Sequence, residues 1–127
     1  IMIFGALTAL PVSAHHSFAA AFDANALITI QGVITQVKLA NPHSWIYLDV
    51  KDATGKVVQW GFEAQTPTAL IRSGVKPDVF KVGSTVTIRG CHARDVTKNE
   101  GAAREIVLAD GRSYIIGPKG NEPDANR

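Results

Sequence analysis

Alternating apolar and polar positions run through most of the chain, and this pattern predicts an all-β domain. Residues 28–39 are rich in β-branched side chains, and their alternation changes parity at Gly32. A glycine inside a strand is typical of a bulge or a sharp bend, so we expect the first strand to bend there. Residues 43–51 alternate without interruption, and residues 56–63 follow a glycine-containing turn as the return strand of a hairpin.

A short helix interrupts the strands. Thr66 suits the N-cap position, Pro67 suits the first helical turn, and Gly74 is a typical residue at a helix end. Further strands are predicted at residues 85–90, 102–109 and 112–116. The last two are joined at Asp110-Gly111, a strong hairpin signal.

Three strands, a short helix and two or three strands is the order of an OB-fold. We therefore predict an all-β domain with one short helix, built as a small OB-fold-like Greek-key barrel of five to six strands. A different small barrel or a sandwich, with the helix as a decoration, is the alternative. The domain is expected to span residues 15–116, with an N-terminal arm that packs Phe18 and Phe22 on it. Residues 117–127 carry little apolar content and are predicted to be a disordered tail.

The first fourteen residues have the character of a secretory signal. Residues 1–10 are apolar and uncharged, Pro11 interrupts them, and Val12 and Ala14 occupy the small-residue positions of a cleavage site. We interpret residues 1–14 as the remnant of a signal peptide and expect a periplasmic protein with no membrane span after cleavage. The alternative is an amphipathic or buried N-terminal helix. Cleavage after Ala14 would make His15 the mature N-terminus.

Composition narrows the function. The formal net charge is only +2 among 127 residues, with no basic run, which together with export argues against nucleic acid as a partner. Asp49, Glu63 and Asp95 show no sign of pairing in the sequence, and Glu63 is expected to point to solvent. No catalytic triad, phosphate loop or dinucleotide motif is present, so the sequence predicts a binding module and not an enzyme.

The predicted second strand carries the candidate ligand site. His43, Trp45 and Tyr47 share the face opposite its apolar residues. In OB-folds this strand contributes to the usual ligand face, where aromatic rings stack on ligands. The alternative is that the N-terminal arm covers these rings.

Histidines give a second hypothesis, a copper or zinc site. A terminal His15 would offer an amine and an imidazole to one metal ion, and nitrogen ligands in a planar arrangement suit Cu(II). If the arm folds back, His15, His16 and His43 could meet at a metal. The alternative is that His15 and His16 form a solvated terminus and that His43 caps a turn. A small ligand, a metal ion and a periplasmic protein therefore all remain candidate partners.

Four short motifs together resemble a family of small exported bacterial proteins of unknown function. They are Ala14-His15-His16-Ser17-Phe18, Asn41-Pro42-His43-Ser44-Trp45, Trp60-Gly61-Phe62-Glu63 and Leu108-Ala109-Asp110-Gly111. The resemblance spans residues 15 to about 116. It implies an exported location and a small β-barrel-like domain, and it implies no activity and no catalytic residue.

Overall fold

The protein is an antiparallel β-structure with short helices. Its structure, a computed structural model, describes residues 18–117, so the predicted signal segment 1–14, His15, His16 and most of the predicted tail lie outside the described residues. The strands are β1 Phe22–Lys38, β2 Ser44–Lys51, β3 Val57–Ala64, β4 Thr85–Ala93, β5 Glu100–Leu108 and β6 Ser113–Ile115. Helix α1, Pro67–Arg72, and a 3-10 turn, Pro77–Phe80, connect β3 to β4.

The strands close into a ring. Their order is β3-β2-β1-β4-β5-β6, and β3 also pairs in parallel with β5, through Gly61 with Glu100 and Glu63 with Ala102. The closed order β1-β2-β3-β5-β4 is that of an OB-fold, with the helix between β3 and β4. Residues 18–21 are also helical, so the expectation of one short helix is wrong, and the predicted fold class, a small all-β barrel, is confirmed.

Strand β1 is longer than the alternation predicted, because it begins at Phe22 and not at Ile28. Its N-terminal part pairs with β4 and its C-terminal part with β2, and it changes partner near Val33. The register of β1 against β2 shifts between Ile34 and Gln36. The change of parity expected at Gly32 therefore lies further along the strand. A Cβ at Gly32 would lie 2.5 Å from the carbonyl oxygen of Asp49, so the glycine permits close approach of β2.

Alternate positions of the strands fill the barrel. Its fully buried side chains include Ile46 and Leu48 of β2, Phe62 of β3, Ile88 of β4 and Ile106 of β5. The connection between β3 and β4 packs against the same cluster through Leu70, Val75 and Val79. Helix α1 begins as predicted, with the Thr66 hydroxyl accepting a hydrogen bond from the Ala69 N–H at 3.3 Å.

A second apolar cluster lies on the outside of the ring. Its buried members are Phe22, Cys91, Ala93 and Ala102, and the rings of Phe18 and Trp45 pack against them. This cluster lies on the face of the sheet opposite Phe62, because its members are linked by pairing across the strands. Trp45 pairs with Glu63, Glu63 with Ala102, and Ala102 with Cys91. Residues at the start of the described chain thus cover part of the outer surface of β2. Within residues 18–117, no helix is long and apolar enough to span a bilayer.

Candidate functional site

Strand β2 presents its predicted site residues on the outer face of the barrel. Ile46 and Leu48 point into the core, so Trp45 and Tyr47, which alternate with them, point outward and are half-buried. Across the sheet Trp45 lies opposite Glu63, and Tyr47 lies opposite Gly61. The structure therefore brings His43, Trp45 and Tyr47 onto the outer face of β2 and β3, which is the ligand face of OB-folds.

The two aromatic rings form a nearly parallel pair. Their centroids are 6.3 Å apart and their planes differ by 18°. Both lean over Gly61, where an added Cβ would lie 3.2 Å from Cε1 of Tyr47 and 3.7 Å from Cε3 of Trp45. The Lys38 ammonium lies 5.7 Å from the centre of the Tyr47 ring, a cation–π distance. A glycine at the opposite position thus lets both rings lie close to the sheet.

His43 and Glu63 lie in contact beside the aromatic rings, at a distance that suits a hydrogen bond. The distance from Nδ1 of His43 to Oε1 of Glu63 is 3.0 Å, and the two side chains are 50% and 19% exposed. Burial raises the pKa of the Glu63 carboxyl, and the neighbouring His43 charge lowers it to a smaller extent. Glu63 therefore does not point freely to solvent as expected, because it turns toward a histidine that is twenty residues away in the sequence.

The loop before β2 fixes the position of His43. The Ser44 side chain is fully buried, and its hydroxyl accepts a hydrogen bond from the Ala40 N–H at 3.4 Å. The Ser44 N–H donates to the carbonyl of Gln65 at 3.3 Å, which ties this end of β2 to the end of β3. Since His43 precedes Ser44 directly, these bonds hold the His43 backbone beside the end of β3, the strand that carries Glu63.

Two members of the predicted histidine cluster, His15 and His16, lie outside the described residues. Phe18 and Trp45 pack against one outer cluster, so the first described residue lies on the face that carries His43. Between residues 18 and 117 no three potential His, Cys, Asp or Glu ligands converge.

The remaining histidine, His92, and the third predicted carboxylate have separate structural roles. His92 lies in edge contact with Trp60, with ring centres 5.4 Å apart, and its Nδ1 is 2.7 Å from the Ala93 carbonyl. Asp95 accepts hydrogen bonds from the Thr97 backbone and hydroxyl within the β4–β5 loop. Asp95 thus lies in a turn and does not join Glu63 in a carboxylate pair.

The sequence profile of a family of unknown function, DUF6152, matches residues 5–103. The chain belongs to this family. The match contains the segments around His43 and Glu63 and ends within β5, so the last hairpin lies beyond it. No curated protein matches the chain at a significant level. Membership of DUF6152 confirms the resemblance to a family of unknown function. It assigns no activity to the protein.

Proposed function

We propose that this protein is an exported, non-catalytic binding module of the periplasm whose ligand site is the outer face of β2 and β3. The observation that carries the proposal is the grouping of the Trp45 and Tyr47 rings with the His43–Glu63 pair on that face. Concave or flat OB-fold faces with aromatic residues at these positions hold ring-shaped ligands by stacking. The N-terminal arm, including His15 and His16, is proposed to border the same face.

The chemistry of the face favours a ring-shaped ligand with hydroxyl groups, such as a sugar. The apolar faces of sugar rings stack on aromatic side chains, and a carboxylate such as Glu63 accepts hydrogen bonds from hydroxyls. The charged groups around the rings are of both signs, Lys38 on one side and Glu63 on the other. A mixed face of this kind offers little attraction to a chain of phosphates, which argues against nucleic acid.

Tryptophan fluorescence tests this site directly. In a Trp60→Phe variant Trp45 is the remaining tryptophan, because the chain contains two. Soluble oligosaccharides should protect its emission from acrylamide, and calorimetry should show that Tyr47→Ala weakens the binding by about tenfold or more, as expected for the loss of one stacking contact. Unchanged quenching and no heat of binding with every sugar tested would contradict the proposed ligand class. Full shielding of Trp45 without ligand would show that the ring is covered.

A copper site is a second candidate, supported by the orientation of His43. Its Nδ1 faces the Glu63 carboxylate, which favours the tautomer with a proton on Nδ1 and leaves Nε2 free to bind a metal. Metal-binding histidines commonly have such a carboxylate behind them. We propose His15, with its terminal amine, and His16 as the other nitrogen ligands of Cu(II), or of Zn(II) with an open position.

Metal titration of the mature protein tests this second candidate. After mass spectrometry has confirmed His15 as the first residue, Cu(II) and Zn(II) are titrated against the native protein. His15→Ala and His43→Ala should abolish tight binding, and Glu63→Gln should weaken it about 10- to 100-fold. His92→Ala, on the opposite side of the sheet, is the control. Affinity no tighter than micromolar, or no effect of an extra residue before His15, would refute a site that uses the terminal amine.

A further inference from the structure

A separate apolar cavity lies where the outer surfaces of β1, β4 and β5 meet. Its volume is about 230 Å³, and the small side chains of Cys91 and Ala102 lie at its base. Phe18 and Leu27 form its walls, and Leu27 is 63% exposed although it is a large aliphatic residue. Among the described lining residues none belongs to the β2–β3 site, although Cys91 and Ala102 share an apolar cluster with Trp45.

Two irregularities of the sheet build this cavity. The pairing of β1 with β4 shifts register between Phe22 and Leu27, and the pairing of β4 with β5 shifts between Arg89 and Gly90. The β4–β5 shift brings the backbone of β5 so close to Gly90 that a Cβ there would collide with the carbonyl group of Ala102. Bulges are frequent beside binding sites because they open the sheet and redirect side chains.

The charged side chains that line the cavity are basic, and the acidic Glu105 and Asp23 lie near them. Arg89 and Arg104 are the charged residues among its described lining. Arg89 is 56% exposed, and its Nη1 lies 3.4 Å from Oε1 of Glu105, a long and solvent-exposed ion pair of the kind that contributes little. Nη1 of Arg104 donates to the Gly117 carbonyl at 3.4 Å. An incoming anion can therefore compete for the Arg89 guanidinium at low cost.

We propose that this cavity binds a small anionic amphiphile, a medium-chain carboxylic acid whose tail fills the cavity and whose carboxylate pairs with Arg89. The volume accommodates roughly eight non-hydrogen atoms at about 30 Å³ each, which is the length of a short hydrocarbon tail. Tail burial against Leu27 and Phe18 removes apolar surface from water, and a bidentate carboxylate suits the planar guanidinium.

Octanoate is the probe, with octylammonium as the matched control that has the same tail and the opposite charge. Methyl NMR of the native protein should show saturable octanoate shifts at Ala24, Leu27, Ile28 and Ala102, with octylammonium at least tenfold weaker. Arg89→Gln should weaken octanoate binding about tenfold. Arg112→Gln, which removes an exposed arginine remote from the cavity, should leave it unchanged.

Cys91 supplies an independent readout because it is the single cysteine of the chain. Burial raises the pKa of its thiol, so we expect a slow reaction with a disulfide reagent, and octanoate should slow it further. Equal binding of octanoate and octylammonium would overturn the role of Arg89. Shifts spread over the surface, or none at the four cavity residues, would overturn the site itself.

Discussion

Substitution by alanine should affect stability very differently at two glycines, Gly90 of β4 and Gly61 of β3. At Gly90 of β4 an added Cβ would collide with the carbonyl group of Ala102, lying 2.9 Å from its carbon and 3.1 Å from Cα of Ala103. All of these atoms are backbone atoms of β5. At Gly61 of β3 the nearest atom is Cε1 of the Tyr47 ring, at 3.2 Å, and a ring can rotate away.

The distances set the size of the effect. Carbon atoms in contact lie about 3.5–4.0 Å apart, so β4 and β5 must separate by at least about 0.6 Å to accept Gly90→Ala. Such a displacement weakens neighbouring ladder hydrogen bonds, at about 1 kcal/mol each, and adds overpacking of about 1–3 kcal/mol. We expect a loss of about 3 kcal/mol, a large fraction of the 5–15 kcal/mol typical of a domain. Gly61→Ala should change stability by less than about 1 kcal/mol, since alanine also restricts the unfolded chain.

Urea denaturation followed by tryptophan fluorescence measures both variants. The slope against urea concentration should stay constant, so that a shift in midpoint reports stability alone. Gly90→Ala should move the midpoint downward, and Gly61→Ala should leave it near the native value. A difference of less than about 1 kcal/mol between the free energies of unfolding of the two variants would contradict the close approach of β4 and β5 at Gly90. It would also contradict the bulge beside the cavity.

Three other substitutions test the core, the helix cap and the site, and a fourth, Ile71→Ala, is the control for the core. Phe62→Ala should cost about 3–5 kcal/mol in urea denaturation, whereas Ile71→Ala, at a side chain 72% exposed, should cost less than about 0.5 kcal/mol. Thr66→Ala should cost about 1 kcal/mol through the lost N-cap, and an unchanged midpoint would contradict the cap. Glu63→Gln should stabilise at pH 7, because a raised folded pKa means that ionisation above the ordinary value of 4.5 costs stability. This gain in stability should disappear at pH 3.5. An equal gain at both pH values would contradict the raised pKa and indicate an effect of side-chain packing.

The position of β2 and the two faces of its side chains were predictable because they depend on local alternation. The inward Ile46 and Leu48 and the outward Trp45 and Tyr47 follow from the period of two in β2. The hairpin at Gly111 and the cap at Thr66 follow from turn and capping chemistry between neighbouring residues. The order of elements was sufficient to predict the barrel.

The partners of those side chains were not predictable, because they depend on register between distant segments. The contact of His43 with Glu63 exists because β2 and β3 pair so that Trp45 faces Glu63. The sequence offers only a histidine before one strand and an acid near the end of another. The cavity beside Cys91 likewise arises from two register shifts, for which Gly90 is a weak signal in the sequence.

The parallel pairing of β3 with β5 also bears on how fast the barrel can form. It joins Gly61 to Glu100 across a segment that contains helix α1 and all of β4, whereas β2 and β3 meet through a short turn. Closing so long a segment costs chain entropy before any of its contacts form. We therefore expect the β1–β2–β3 meander to form early and ring closure to limit the rate, with folding in the millisecond-to-second range typical of barrels.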